Sequence, residues 1–352
     1  MKLLASNKLS LLALILCACT FVLTCNSSGS SREKQVESTK SVTIYTHHVF
    51  DADSILYQRF ETLTGIKVYV EEASFGTLVN RLESETNSAD VIIAVGEGRL
   101  FDLKSRDLFQ PFSSELIEQH IPSRYQDRQS YWVGLSKRPG IIAYAKDRVN
   151  PEEISNYEDL ANEKWQGRIL ARSKKDIYLQ SLIANMMLSR GEEFTQAWAK
   201  SIVKNLARKP SGNNREQILA IARGDGDVAI VNSHNIGSML NSKVPDERAA
   251  AEKVGIIFPN SGSGTPINLR GIAILKNAKN RDSAIRLIEF LTSQEAQNIL
   301  AANEFEYPVN PTVIPSSVLL SWGVFQEAEL NLNLLGEQFR RVPIILEAAG
   351  WE

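Results

Sequence analysis

Two histidines stand side by side in this 352-residue sequence, His47 and His48, with Asp51 three residues beyond. Imidazole nitrogens suit Zn²⁺, Cu²⁺, Ni²⁺ or Fe²⁺, and a nearby carboxylate would add an oxygen to such a site. The other two histidines, His120 and His234, stand alone. The three cysteines, Cys17, Cys19 and Cys25, all fall within the first 25 residues. The rest of the chain therefore has no thiol for a disulfide, a zinc finger or nucleophilic catalysis. Gly262-Ser263-Gly264 is too short for a nucleophile elbow. Gly96-Glu97-Gly98 lacks the third glycine of a dinucleotide loop, since Phe101 stands there. There is no Walker loop and no H-E-x-x-H helix. Glu152-Glu153 and Glu192-Glu193 read as solvated helix starts, where carboxylates suit the positive end of the helix dipole. The sequence is read as that of a non-enzyme.

The elements that must position such residues alternate. Val42 to Tyr45 is a short β-rich run. Asp53 to Leu63 carries Ile55, Leu56, Phe60 and Leu63 at helical spacing, and Gly65 closes it as a helix cap. Ile66 to Glu71 reads as a strand, Leu78 to Glu85 as a helix, and Val91 to Val95 as a buried strand. This βαβαβ order predicts an α/β lobe with a largely parallel sheet. Further strands are predicted at 140–146, 167–170, 228–231, 254–258 and 271–276. Helices are predicted at 178–189, 195–207, 214–223, 282–291 and 294–302. The alternation runs well past one lobe without a clear linker, which suggests two lobes joined by more than one crossing.

Composition fits a soluble globular chain: 43% hydrophobic, 23% charged and a net charge of −2. A basic excess, the usual footprint of nucleic-acid binding, is lacking. The N-terminus carries Lys2 and Lys8, then an apolar run from Leu11 to Leu23. At about 13 residues that run is shorter than the roughly 20 needed to span a bilayer as a helix. Residues 1–25 are read as a signal peptide and 26–40, opening on Asn26-Ser27-Ser28-Gly29-Ser30-Ser31, as a linker. The layout resembles a secreted bacterial lipoprotein, with Cys25 as the lipidated residue and Cys19 as the alternative. It implies a chain outside the cytoplasm, in the periplasm or on the outer face of the membrane, held by its lipid.

Runs along the body carry a second resemblance. They include Thr64-Gly65-Ile66-Lys67-Val68, Ala89-Asp90-Val91, Leu108-Phe109-Gln110-Pro111, Tyr131-Trp132-Val133-Gly134, Lys164-Trp165-Gln166-Gly167-Arg168, Ile288-Glu289-Phe290-Leu291 and Glu306-Tyr307-Pro308-Val309. In this order the chain resembles the ferric-iron-binding subgroup of extracellular solute-binding proteins, family 1, the capture subunits of bacterial ABC importers. The resemblance implies a two-lobed periplasmic-binding-protein fold of type II, with mixed sheets and a hinge. Lobe 1 is expected at 41–135 plus about 265–305, and lobe 2 at 140–260 plus about 306–352. It also implies a monomer whose partners are a permease and a separate ATPase.

The subgroup's metal ligands are mostly tyrosines, and their positions map here onto Val49, Phe50, Tyr178, His234 and Asn235. Only Tyr178 keeps its residue type. Val49 and Phe50 offer no lone pair, and Asn235 brings only a neutral amide oxygen, so a ferric site of the inherited kind is not expected. Three of the four histidines, His47, His48 and His234, nevertheless fall at this expected cleft. A recast site using His47 or His48 with His234 and Tyr178 would bind iron or a divalent transition metal. The alternative is a small anionic or organic solute, such as a sugar phosphate, met by Arg138, Arg172, Lys174, Lys175 and Arg270. A third reading is a lipoprotein that kept the fold and transports nothing.

Overall fold

The computed structural model describes residues 40–352 apart from 85–87, 262 and 330–331. The expected signal peptide, Cys19, Cys25 and all of the expected linker except Lys40 lie outside the described residues. Nine strands are described: β1 (Ser41–Thr46), β2 (Lys67–Glu72), β3 (Val91–Val95), β4 (Trp132–Ala145), β5 (Ile169–Leu170), β6 (Val228–Asn232), β7 (Val254–Ile257), β8 (Ile267–Ile274) and β9 (Tyr307–Pro308). Between them run α1 (Asp51–Thr64), α2 (Phe75–Leu82), α3 (Glu97–Ser105), α4 (Glu115–His120), α5 (Ile177–Arg190), α6 (Glu192–Asn205), α7 (Asn214–Arg223), α8 (Ser233–Leu240) and α9 (Pro245–Glu252). Then follow α10 (Arg281–Thr292), α11 (Gln294–Asn303), α12 (Ser317–Ser321), α13 (Leu332–Gln338) and α14 (Val342–Ala348).

The strands pair in the order β2-β1-β3-β8-β4-β6-β5, with β7 and β9 also on β4. β1 is parallel to β2 and β3, and β5 to β6, while β3–β8 and β4–β8 are antiparallel. The result is a mixed sheet serving two lobes. One lobe buries Val42, Ile44, Phe60, Ile93, Ile272 and Ile288 in a common core. The other buries Trp165, Leu182, Trp198 and Trp351 on one side, and Ile141, Ile218, Val231 and Met239 on the other. Removing one such large side chain from water contributes roughly 1.5–3 kcal/mol.

β4 joins the two cores. From Trp132 to Pro139 it pairs with β8, and from Gly140 onward with β6 and β7. Proline donates no amide hydrogen, so the ladder is weakest at Pro139. Gly140 follows because a Cβ there would come 2.8 Å from the Tyr157 hydroxyl. The local signals that set the helices are equally direct. Asp53 accepts the Phe50 amide hydrogen at 3.0 Å to open α1, and Gly65 closes it at φ 70°.

Candidate functional site

The site assembles where strands end and helices begin, the usual binding edge of open α/β sheets. The loop after β1 carries His47 to Phe50, and β4 carries Arg138 just before its change of partner. β8 carries Arg270, which is paired in register with Ser136. On the other lobe, Asp176 caps α5 by accepting the amide hydrogens of Tyr178 and Leu179, both at 2.9 Å. This fixes Tyr178 in the first turn. His234 and Asn235 open α8 directly after β6. Arg172 is held nearby, its carbonyl accepting the indole hydrogen of Trp351 at 2.9 Å.

These residues converge on Arg138. Its Nη1 donates to the Tyr178 hydroxyl oxygen at 2.7 Å, and its guanidinium lies 4.8 Å from the Phe50 ring centre. The Arg270 guanidinium lies over the same Phe50 ring at 4.9 Å, and that of Arg172 over Tyr178 at 5.3 Å. The Tyr178 and His234 rings are 6.4 Å apart, and Asn235 Nδ2 is 2.9 Å from His234 Nε2. His48 turns to the exterior, half-exposed and 3.5 Å from Glu72.

The charge balance is the decisive property. Arg138 and Arg270 are buried, each against one carboxylate: Glu306 and Asp53 respectively. Ser136 donates to the other oxygen of Glu306. Arg172 pairs with Asp176 at 2.9 Å. Arg99, from the first turn of α3, has no carboxylate partner among the described residues and stacks on Phe75 at 4.5 Å. Four guanidinium groups thus face three paired carboxylates, with Glu304, whose pKa is raised chiefly by burial, a fourth within electrostatic reach of Arg270. Arg99 Nη1 and Arg270 Nε and Nη1 are buried without a hydrogen-bond partner. Such donors cost free energy until something accepts from them.

The histidines take the opposite role. Burial first, then the charges of Arg99, Arg138, Arg270 and His48, pushes the His47 pKa down to about 3. His234 is held well below the ordinary range by burial, Arg138, Arg172 and Arg215. Both rings are therefore neutral at physiological pH. Among the described residues, no group of three His, Cys, Asp or Glu side chains is arranged to hold a metal ion.

The family described as bacterial extracellular solute-binding protein matches residues 86–321. This chain belongs to it. The solute-binding protein is 38% identical to iron uptake protein A1 of Synechocystis over 334 residues, 93% of each chain. Among solved structures it is similar to the Trichodesmium FutA (IdiA) complex with iron and citrate, at TM-score 0.85 and 37% identity, covering 89% of this chain and all of that one. A ferric binding protein from Campylobacter jejuni aligns at TM-score 0.84 and 33% identity, over 88% of this chain and all of that one. The two-lobed type II fold and the absence of an enzyme activity follow from the family.

Of the residues singled out in this solute-binding protein's sequence, Phe50, Tyr178, His234, Asn235, Arg138, Arg172 and Arg270 are linked through the contacts above. Val49 precedes Phe50 and is half-buried. Lys174 is half-buried, its amide bonded to the Glu352 carbonyl, and Lys175 is exposed. Arg99, Asp53 and Glu306 were not anticipated. Arg99 carried one usable signal, its place just after the buried strand Val91–Val95. The carboxylates carried none, because Asp53 meets Arg270 across 217 positions of sequence.

Proposed function

We propose that this chain is the solute-capture subunit of a bacterial ABC importer of iron-uptake descent, and that its cleft takes an anionic solute. A carboxylate- or phosphate-bearing molecule fits, the iron chelate of such a molecule included, in place of a bare ferric ion. One observation carries this reading. The last inherited tyrosine, Tyr178, lies between two guanidiniums, one donating to its oxygen and one over its ring. A trication there would meet four arginines, three carboxylates already engaged by them, and at most one phenolate. An anion would instead accept from donors that are buried and unsatisfied, and charge-assisted bonds of this kind are the strong ones. A metal reading through Tyr178, His234 and His47 has one support of its own: His47 Nδ1 is buried, unpartnered and neutral.

The rest of the proposal follows the lipoprotein layout and the family. Lipidation at Cys25 holds the chain outside the cytoplasmic membrane. A permease and a separate ATPase complete the importer, and the capture subunit works as a monomer. The lobes divide within β4, with 41–135 and about 265–305 on one side and 140–260 and about 306–352 on the other.

Titration calorimetry with phosphate, citrate and ferric citrate, against Zn²⁺ and anaerobic Fe²⁺ in anion-poor buffer, tests the anion reading. A ligand at one hundred times its Kd adds about 2.7 kcal/mol of stability, so melting curves check the same arms. Binding of the anions supports the proposal. Binding of the metal ions alone, with no response to any anion, overturns it in favour of the metal reading.

A further inference from the structure

A cavity of about 380 Å³ lies where α3 of one lobe meets α5 and α13 of the other. Phe75, Phe101 and Phe339 supply its apolar wall, and Arg99, Arg340 and Gln180 its polar one. An apolar cavity of roughly 150 Å³ holds a benzene ring, so this one has room for a ring with its substituents. Asp102, the one carboxylate among the described residues that line it, is engaged by Arg106 at 3.1 Å. Arg99 and Arg340 have no carboxylate partner among the described residues; they lie over Phe75 and Phe101, at 4.5 and 5.9 Å. The walls are set by two glycines. A Cβ on Gly98 would come 2.5 Å from the Phe339 ring, and one on Gly336 2.2 Å from that of Phe101. Each ring therefore sits against bare backbone of the opposite lobe.

The cavity adjoins the crevice through Arg99. Arg99 lines the cavity, and its charge also acts on His47 and responds to Tyr178 and Asp176. Its Nη1 is buried without a partner. Arg99 is thus the residue common to both: its cationic, unsatisfied end lies within electrostatic reach of the crevice residues, and the cavity it lines is aromatic.

We propose that this cavity is the second half of the solute site, and that the solute is an organic anion. Its carboxylate or phosphate binds Arg99 at the mouth of the crevice, and its ring or branched hydrocarbon body lies among Phe75, Phe101 and Phe339. This rests on the reading of the crevice as an anion site.

Calorimetry on the mature chain compares inorganic phosphate with phenyl phosphate, and acetate with benzoate. Burial of one ring should make the aryl ligand bind about tenfold tighter or more than its parent anion. Ser105 also lines the cavity, and Ser105→Phe and Ser105→Trp, which fill it to increasing extents, should cancel that gain and leave the parent anion's affinity unchanged; circular dichroism checks that both fold. Equal affinity for aryl and parent anions in the unaltered chain overturns the cavity proposal and leaves the anion reading standing. A gain that survives in both filled variants puts the ring elsewhere and also overturns it. No binding of any of the four ligands overturns the cavity proposal and leaves citrate and ferric citrate to decide the anion reading.

Discussion

Glu97 offers a measurement of how the lobes share a buried charge. It opens α3, is 2% exposed, and accepts the Leu269 amide hydrogen at 2.6 Å and the Ser181 hydroxyl of α5 at 3.3 Å. Burial raises its pKa from 4.5 to about 7, against the opposing effect of these hydrogen bonds. The folded chain therefore binds this proton over a pH range where the unfolded chain has released it. Stability contributed by the protonated form is complete below about pH 4.5, falls as pH rises, and levels off above about 7. A difference of this size corresponds to about 3 kcal/mol. Glu97→Gln keeps the shape and an oxygen that accepts the Leu269 amide hydrogen, but does not titrate. Calorimetric melting of both proteins from pH 4.5 to 8 reads the effect. Subtracting one curve from the other removes the neutral histidines His47 and His234, whose contributions run the opposite way. The variant should match the parent near pH 4.5 and gain on it with pH, reaching about 5 °C by pH 8. Parallel curves, or a variant less stable than the parent at pH 8, would refute the buried-carboxyl reasoning.

Three other substitutions bear on the site and its frame. Tyr178→Phe removes one acceptor of Arg138, so phosphate affinity should change by no more than about threefold in calorimetry; a large loss would show that the Tyr178 hydroxyl itself holds the anion. Asp53→Asn strands the buried Arg270 and should destabilise by about 3–5 kcal/mol. Phosphate should raise the melting temperature of that variant more than it raises the parent's, and an equal rise would place Arg270 outside the site. Gly336→Ala drives a methyl against Phe101 and should cost about 1–3 kcal/mol of stability, read by chemical denaturation. An unchanged midpoint would show that the ring yields freely.

Local signals in the sequence translated well. α7 spans Asn214–Arg223 as predicted because both ends are written nearby: Asn213 and Glu216 cap each other's backbone, and Gly224 takes φ 86°. The first half of β4 escaped because Trp132 to Pro139 has no alternation and holds Lys137, Arg138 and Pro139, which resemble a loop. Its burial on both faces comes from strands and helices far along the chain. α3 escaped because Gly96-Glu97-Gly98 looks like a turn. The tyrosine positions could be traced by resemblance and Arg138, Arg172 and Arg270 could be singled out, but the carboxylates that hold them could not. Arg138–Glu306 and Arg270–Asp53 are pairs between distant segments, which local patterning does not encode.

On the proposed function, β4 puts the grip and the pivot on the same few atoms. Arg138 reaches the solute crevice, and the next two residues, Pro139 and Gly140, are where the strand leaves β8 for β6. A guest that tugs on this guanidinium tugs on the seam itself, with no relay of intervening side chains. On that proposal, capture and a swing of one lobe against the other would be one mechanical event, and a permease that senses the lobes' posture would read occupancy at first hand.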